Sequence, residues 1–280
     1  MQTIGIVGAG TMGAGISQLA AVSGFEVLMH DAAPGAVGRG KDRIAARLAR
    51  AVERGQMTAD AAESAMERLK EASLEDFSVA DVVIEAVVEV MDVKKAVFKS
   101  LDAVVRPQAL LATNTSSFSI TELSRSTRHP ENFLGMHFFN PAPVMKLVEL
   151  VRGEDTSDET VALAQDIARR FGKETVVVQK DTPGFVVNRI LMPLFIEAMR
   201  ILEEGVASKE DIDKAVQLGL NHPMGPLTLA DFTGLDVDLE VMDYLYDEFH
   251  DDRFAAPQVL RRLVRAGRLG KKSGRGFYQY

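Results

Sequence analysis

Short apolar runs rich in Val, Ile and Phe recur through the N-terminal two thirds of the chain. Longer amphipathic stretches separate the early runs, and between Met12 and Leu19 the apolar positions follow a three- or four-residue spacing. Strand-length runs that alternate with helical stretches predict a mostly parallel sheet covered by helices on both faces. The later runs have shorter connections, which permits antiparallel pairing among them. The predicted strands are Ile4–Val7, Val27–Met29, Val82–Val87, Leu110–Thr113, Leu134–Phe139, Leu147–Val151 and Thr175–Val178.

Spacing and capping residues predict further helices in this region. Apolar positions at helical spacing predict one over Ala61–Ala72. Thr156–Glu159 has the spacing of a capping box, which predicts a helix that runs to Phe171, with Gly172 at its C-terminal end.

The character of the chain changes after Asp181–Gly184, where the strand-like runs stop. Phe185–Glu204 predicts a long apolar helix with a kink at Pro193, and Ser208 is placed to cap a further helix. Two more helical segments are predicted, at residues 228–249 and 256–266.

Composition narrows the chemistry. The 280 residues include no cysteine, which excludes disulfide bonds, cysteine-ligated metal sites and a thiolate nucleophile. Hydrophobic residues make up 46% of the chain and charged residues 26%, as in proteins with a folded core. A formal net charge of −8 argues against nucleic acid as a main partner. With no secretion signal and no apolar run long enough to span a bilayer, we expect a cytoplasmic protein without a membrane partner.

A glycine-rich segment follows the first predicted strand and opens the first helical stretch. Its pattern is G-x-G-x-x-G, in which the glycines provide a tight turn, close approach to a pyrophosphate and close helix–strand packing. Asp31 ends the next strand, 18 residues after Gly13, where an acidic residue binds the adenosine ribose. The alternative is an ordinary tight turn. The predicted dinucleotide site comprises Gly8, Ala9, Gly10, Thr11, Met12, Gly13 and Asp31.

Asp31 also bears on the choice of cofactor. Its carboxylate would repel a 2′-phosphate, and Ala32 and Ala33 follow it where an arginine would favour NADP. NAD is therefore the predicted cofactor. Arg39 is the nearest cation and would weaken this preference if it folded back.

The fold class that follows is α/β. A Rossmann-type dinucleotide-binding domain is predicted at residues 1–182, followed by a smaller all-α domain at residues 183–280. We expect the second domain to serve substrate binding and, because it is so apolar, to bury part of its surface against a partner chain.

Histidine suits the task of accepting a hydroxyl proton in a dehydrogenase, because its pKa lies near neutrality. Among five histidines, His137 lies in an apolar strand that ends in a proline-rich turn. Glu149, in the following strand, is flanked by apolar residues. If the two strands are neighbours, Glu149 can hydrogen-bond one ring nitrogen and fix the imidazole. The alternative is a packed histidine and an unrelated strand carboxylate. No metal site is predicted.

Two polar clusters are candidates to join this pair. Asn114–Ser117 follows a buried-looking strand, where open α/β sheets bind ligands, although such residues also cap helices. Pro183–Arg189 places Asn188 in an apolar helix at the predicted domain boundary, with backbone capping as the alternative role.

A basic stripe stands out against the acidic average. Between Arg39 and Arg54 there are six basic residues and two acidic ones. Arg43, Arg47, Arg50 and Arg54 lie on one face of a helix, where like charges repel.

Together these motifs resemble the 3-hydroxyacyl-CoA dehydrogenase family, in its short single-function form. The resemblance covers essentially the whole chain, and the motifs stand in the family's order. Besides the glycine-rich segment they are DVVIEAVVE (Asp81–Glu89), NTSS (Asn114–Ser117), HFFNPAPVMK (His137–Lys146), PGFVVN (Pro183–Asn188), HPMGPL (His222–Leu227) and GKKSGRGFY (Gly270–Tyr278).

The resemblance implies a role for each matched position. His137 is the implied general base for the 3-hydroxyl proton, and Glu149 orients and charge-supports it. Ser116 and Asn188 are the implied hydrogen-bond partners of the substrate oxygen. The implied cofactor contacts are Glu89, Lys94, Ser116, Asn140 and Lys272, and the implied contacts to the coenzyme A phosphates are Arg47, Arg50 and Arg54.

The resemblance also implies a reaction and a partner. An (S)-3-hydroxyacyl-CoA, with 3-hydroxybutyryl-CoA as the expected short-chain case, is oxidised reversibly to the 3-oxo thioester with NAD. Family members are typically dimeric through the helical domain, so a homodimer is expected. Three alternatives stay open: a sugar-acid dehydrogenase related to lambda-crystallin, a 3-hydroxyacid dehydrogenase with a catalytic lysine, and a protein that keeps the fold without the chemistry.

Overall fold

The structure of the protein is a computed structural model that describes residues 2–280. These residues divide into two compact units: the first ends at Thr182 and the second begins at Pro183. Unit 1 combines a sheet with helices, and unit 2 is helical. The predicted fold class, a Rossmann-type domain followed by an all-α domain, is confirmed. No helix among residues 2–280 combines the length and the hydropathy needed to cross a membrane.

The described part of unit 1 holds eight strands in one sheet. They are β1 (Thr3–Val7), β2 (Glu26–His30), β3 (Leu69–Glu71), β4 (Val82–Glu85), β5 (Leu110–Thr113), β6 (Phe133–Phe138), β7 (Leu147–Arg152) and β8 (Glu174–Val178). Their order in the sheet is β3-β2-β1-β4-β5-β6-β7-β8, and neighbours run parallel except for the antiparallel pair β6–β7. The carboxyl ends of β1, β4 and β5 therefore share one edge, at the switch in strand order where doubly wound sheets bind ligands.

Helices cover the sheet and complete its core. Ile4, Ile6 and Ile84 on the central strands have no exposed surface, and α1 packs small residues such as Ala14 and Ala20 against them. The helices of unit 1 are α1 (Thr11–Val22), α2 (Ala36–Glu53), α3 (Ala59–Glu67), α4 (Met91–Asp102), α5 (Ile120–Ser124) and α6 (Asp158–Arg170).

Each predicted strand is present, with its ends within two residues of the prediction. The helix predicted over Ala61–Ala72 is wrong at its end: it stops at Glu67, and Leu69–Glu71 form β3 at one edge of the sheet. Leu69 is buried there, but a three-residue strand is too short for its alternation to be distinguished from a helical period.

The start of α6 also differs by one residue. Ser157 is the N-cap, and its hydroxyl accepts a hydrogen bond from the Thr160 amide. Thr156 instead donates its hydroxyl to the carbonyl of Phe133, which ties the loop to β6. The predicted end is confirmed, since Gly172 follows the helix with a φ of 70°.

Unit 2 has its own apolar core. The helix predicted over residues 228–249 is two helices, because Gly234, with a φ of 105°, separates them. Ser208 caps its helix as predicted, accepting from the Asp211 amide. The helix that contains Pro193 begins at Val187 rather than Phe185. The helices are α7 (Val187–Glu203), α8 (Lys209–Gly219), α9 (Pro226–Thr233), α10 (Leu235–Phe249) and α11 (Gln258–Arg265).

Candidate active site

The glycine-rich loop, Gly8–Gly13, joins β1 to α1. Gly8 has a φ of 99°, and a side chain there would overlap the backbone of Ala86 at the end of β4. A side chain at Gly13 would overlap the carbonyl of Gly8, so the first turn of α1 packs directly on the loop. Gly10 is the exposed N-cap of α1 and offers no side-chain cap, which leaves the first amide groups of the helix to bind an anion.

Asp31 lies directly after β2 and beside the glycine-rich loop. One carboxylate oxygen accepts the Ala9 amide at 2.7 Å, and the other accepts the Ala33 amide at 2.9 Å. Each oxygen keeps a lone pair for a ribose hydroxyl. Arg39 donates to the carbonyl of Pro34.

A pocket of about 880 Å³ opens beside the loop, within unit 1. Its walls suit a dinucleotide, since apolar side chains offer a surface for a flat ring and the lining also includes Asp31 and the first residues of α1, Thr11 and Met12. The apolar lining includes Leu74, Val88, Val93 and Val97. The residues present therefore fit NAD.

A charged cluster lies at the carboxyl ends of β4 and β5. The ammonium of Lys94, whose residue is 1% exposed, lies 2.7 Å from Glu85 Oε1 and 3.1 Å from Glu89 Oε2. Glu89 accepts the Ser116 amide at 3.0 Å and the hydroxyl of Thr115. The structure thus brings together three predicted cofactor contacts, Glu89, Lys94 and Ser116.

Glu85 was not singled out by sequence reasoning. It is fully buried at the end of β4, and its carboxylate is the inner partner of Lys94. The available signal was a carboxylate that follows an unbroken Val-Val-Ile run at Val82–Ile84, because a charge at the end of a buried strand requires a partner.

His137 and Glu149 are directly opposite each other in the antiparallel pair β6–β7. His137 Nδ1 lies 2.8 Å from Glu149 Oε2, and the residues are 6% and 0% exposed. A carboxylate only accepts, so Nδ1 carries the proton in this contact. The Phe139 ring lies 4.5 Å from the imidazole between centroids, and Asn114 Oδ1 accepts the Phe138 amide at 2.9 Å. The end of β5 is therefore tied to the histidine strand.

Three predicted site residues lie outside these clusters. Asn140 is exposed in unit 1, two residues after β6. Asn188 lies in the first turn of α7, in unit 2. Lys272 is exposed in unit 2, where its ammonium lies 2.6 Å from Asp236 Oδ1 on α10.

The basic stripe of α2 divides into two parts. Arg43 donates to the carbonyl of Ala9 at 2.6 Å, and Arg47 donates to Gln18 Oε1 on α1 at 3.2 Å. Partial burial, and secondly the charge of Arg43, lower the pKa of Arg47 from its ordinary value. Arg50 and Arg54 are exposed at the end of the helix.

Comparison with known families covers both units. The model of the 3-hydroxyacyl-CoA dehydrogenase NAD-binding domain matches residues 3–182, and the model of the C-terminal domain of the same family matches residues 184–280. The chain belongs to the 3-hydroxyacyl-CoA dehydrogenase family.

Relatives of this 3-hydroxyacyl-CoA dehydrogenase family member match it along its length. A protein of Deinococcus radiodurans named as a probable 3-hydroxybutyryl-CoA dehydrogenase is 48% identical over 277 residues, 99% of each chain. The crystal structure of (S)-3-hydroxybutyryl-CoA dehydrogenase from Ralstonia eutropha has 47% identity and a TM-score of 0.96, covering 100% of this chain and 99% of that one. A 3-hydroxyadipyl-CoA dehydrogenase of Escherichia coli is 45% identical across 100% of this chain and 59% of its own length.

The family membership confirms the predicted enzyme class and cofactor. The chain is an NAD-dependent dehydrogenase of 3-hydroxyacyl-CoA substrates, and NAD is its cofactor. The glycine-rich loop and Asp31 are the residues of unit 1 whose geometry suits that cofactor.

Proposed function

We propose that this enzyme oxidises (S)-3-hydroxybutyryl-CoA and similar short (S)-3-hydroxyacyl-CoA thioesters to 3-oxoacyl-CoA, reversibly, with the His137–Glu149 pair as general base. The observation that carries the proposal is the buried contact of 2.8 Å between His137 Nδ1 and Glu149 Oε2. Its support comes from the family and from relatives named for this substrate.

In this proposal the His137–Glu149 pair accepts the proton that leaves the substrate hydroxyl. The protonated Nδ1 of the neutral imidazole donates a hydrogen bond to Glu149, which leaves Nε2 unprotonated and basic. Nε2 then takes the proton of the 3-hydroxyl group. Glu149 fixes this tautomer and the ring orientation, and its negative charge stabilises the imidazolium that forms. When bound, NAD supplies the hydride acceptor at its nicotinamide ring.

Two further residues hold the substrate in this account. Ser116, whose hydroxyl lies 3.5 Å from Glu89 Oε1, and Asn188 at the start of α7 bind the substrate oxygen. The remaining predicted cofactor contacts are Glu89 and Lys94 in unit 1, with Asn140 at the end of the histidine strand and Lys272 in unit 2.

In this proposal the basic stripe of α2 binds the phosphates in the coenzyme A portion of the substrate. Arg50 and Arg54 are exposed, with Arg47 one turn before Arg50 and half-buried. Guanidinium groups make strong charge-assisted hydrogen bonds to phosphates. We assign Arg50 and Arg54 to the phosphates together with Arg47, whose contact with Gln18 is the longer one at 3.2 Å. We assign Arg43 to the glycine-rich loop, because it is bonded to the Ala9 carbonyl at 2.6 Å.

A substrate series tests the proposed acyl preference. The reverse reaction is followed by the loss of NADH absorbance at 340 nm with acetoacetyl-CoA, longer unbranched 3-oxoacyl-CoA thioesters and 3-oxoadipyl-CoA. We expect the highest kcat/KM with acetoacetyl-CoA. Faster turnover of 3-oxoadipyl-CoA would instead favour the activity named for the Escherichia coli relative. No turnover of any thioester in the series would overturn the proposal.

The helical unit also supports a proposed homodimer. Large apolar side chains are exposed in and after α7 and α8, and apolar surface that a single chain exposes can be covered by a partner chain. They include Ile190 (68% exposed), Val206 (70%), Leu218 (76%) and Leu220 (61%). A second copy of the chain that covers this surface would remove them from water.

A further inference from the structure

The buried carboxylate of Glu85 has no part in the proton transfer described above, yet it is held by three donors. Its Oε1 accepts the Val87 amide at 2.7 Å and the Lys94 ammonium at 2.7 Å. Its Oε2 accepts the Thr113 hydroxyl at 2.7 Å. Since Glu85 has no exposed surface, these donors replace the water that an ionised carboxylate requires.

The contacts of Glu85 join two loops at the edge of the sheet. Val87 belongs to the segment that follows β4 and leads to Glu89, and Thr113 ends β5. The Thr113 oxygen in turn accepts the Thr115 amide at 3.2 Å, one residue before Ser116. A single carboxylate thus fixes the chain shortly before each of the two segments that carry the proposed cofactor contacts.

Lys94 extends this connection to Glu89. Its ammonium is buried between an inner carboxylate, Glu85, and an outer one, Glu89, whose side chain is 37% exposed. With the inner contact in place, the ammonium has a fixed position from which it holds Glu89 at 3.1 Å. Glu89 then accepts the amide of Ser116, so the chain of contacts runs from the buried end of β4 to the proposed substrate residue.

Stability alone is a weak reason for this arrangement. A buried ion pair loses about as much in desolvation as it gains in attraction, and apolar replacements are often as stable. What a fully hydrogen-bonded buried pair does supply is a defined position for the charged groups, which a cofactor site requires.

We propose that Glu85 is a positioning residue of the cofactor site, which sets Lys94 and, through it, Glu89 in the place where they bind NAD. This inference rests on the proposed cofactor contacts of Glu89 and Lys94. It does not depend on which acyl group the enzyme oxidises.

The test substitutes Glu85→Gln, which keeps the shape of the side chain and removes its charge. The matched control is Glu122→Gln: Glu122 on α5 pairs with Lys95, the next residue of α4, at 2.5 Å on the exposed side of the helix. NADH affinity is measured by NADH fluorescence titration, and KM for NADH and for acetoacetyl-CoA by initial rates.

We expect Glu85→Gln to raise both the Kd and the KM for NADH by about tenfold or more, the scale of a lost charge-assisted hydrogen bond. The KM for acetoacetyl-CoA should rise by less than the KM for NADH, because Ser116 alone among the proposed substrate contacts is joined to Glu85, and Glu122→Gln should match the wild type. This split is what a purely structural role would not produce. Unchanged NADH affinity in Glu85→Gln, or an equal loss for NADH and acetoacetyl-CoA together with a lower Tm, would overturn the proposal.

A milder variant decides the case if Glu85→Gln does not fold. Thr113→Val removes one donor to Glu85 and leaves Lys94 in place, so we expect a loss of NADH affinity of about two- to fivefold with the same split. Wild-type NADH affinity in folded Thr113→Val would then count against the proposal. Because NADH titration needs no thioester, a wild-type enzyme that binds NADH but leaves acetoacetyl-CoA unreduced would refute the proposed substrate and leave the Glu85 test intact.

Discussion

At the scale of single residues, the site depends on carboxylates that are held by defined donors. Glu149 holds His137, Glu85 holds Lys94, and Asp31 accepts two backbone amides beside the glycine-rich loop. In the proposed roles each carboxylate positions a neighbouring group, so replacing one should alter a specific step of binding or chemistry.

Asp31→Ala is expected to weaken NAD binding and relax the choice of cofactor. The variant loses the acceptors for the Ala9 and Ala33 amides and for the ribose, and it removes the charge that repels a 2′-phosphate. The KM for NAD should rise by about 10- to 100-fold, and the preference for NAD over NADP should fall. Initial rates with both cofactors measure the two effects, and an unchanged preference would contradict the role of Asp31.

At the scale of elements, α2 links two proposed binding regions. Its middle is bonded to the glycine-rich loop through Arg43, and its end presents Arg50 and Arg54. The regular spacing of the arginines in the sequence does not show which of them are bonded inside unit 1, because the partners Ala9 and Gln18 come from distant parts of the chain.

The double variant Arg50→Ala/Arg54→Ala is expected to raise the KM for acetoacetyl-CoA by about tenfold and to leave the KM for NADH unchanged. Two exposed cations that bind phosphates contribute less as salt increases, so the gap from the wild type should narrow at high ionic strength. Initial rates over a salt series give the measurement. The control is Arg169→Ala on α6, an exposed arginine paired with Asp166. An unchanged KM for acetoacetyl-CoA would show that Arg50 and Arg54 are ordinary surface residues that do not bind the coenzyme A phosphates.

A buried acid, Asp238, lies in the first turn of α10, just after the break between α9 and α10. Asp238 is 2% exposed, and burial raises its pKa to about 8; Asp236 and Asp231 add to this rise, while Thr233 and Lys272 oppose it. A protonated Asp238 can donate to Thr233 Oγ1, at 2.8 Å, and leave that hydroxyl to donate to the carbonyl of Ala230.

Asp238→Asn is expected to flatten the pH dependence of stability. The folded state holds a proton that the unfolded chain releases above its ordinary pKa of 3.8, so this stabilising contribution is full below that value and is lost as the pH rises through about 8. The slope from this group is at most about 1.4 kcal/mol of unfolding free energy per pH unit. Tm is measured for both proteins at about pH 5 and about pH 9. From the lower to the higher pH, the Tm of the variant should rise relative to the Tm of the wild type.

The control for that comparison is Asp247→Asn, since Asp247 is exposed on the same helix. It should follow the wild type at both pH values. Parallel pH profiles for Asp238→Asn and the wild type would show that Asp238 is ionised in the folded protein.

At the scale of the whole molecule, the strand pattern and the motifs in the sequence predict the sheet order and the place of the site, whereas individual side-chain contacts are harder to predict. The parallel order and the carboxyl-edge site follow from alternating strands and helices, and the His137–Glu149 contact follows from two successive strands that prove to be neighbours. The short strand at Leu69 was missed because its pairing with β2 overrides a helical pattern. The break at Gly234 was missed because the apolar spacing continues across the glycine, whose positive φ ends the helix. Glu85 was missed because its importance lies in partners from α4 and β5.

Assembly is the prediction that belongs to this scale. Light scattering at micromolar concentration should give about twice the mass of one chain, because a dimer would cover the exposed apolar side chains of unit 2. Leu218→Asp, at a position 76% exposed in the single chain, should shift the equilibrium toward the monomer. A wild-type monomer at that concentration would contradict the proposed homodimer.

The central claim is that His137 is the base of an NAD-dependent 3-hydroxyacyl-CoA dehydrogenase. Its most direct test compares wild type and His137→Gln for NADH consumption with acetoacetyl-CoA at 340 nm, alongside NADH binding by fluorescence. We expect kcat to fall by about 10²–10⁴ while the Kd for NADH stays nearly unchanged, because the variant loses proton transfer and keeps the cofactor site. Full activity in His137→Gln would contradict it.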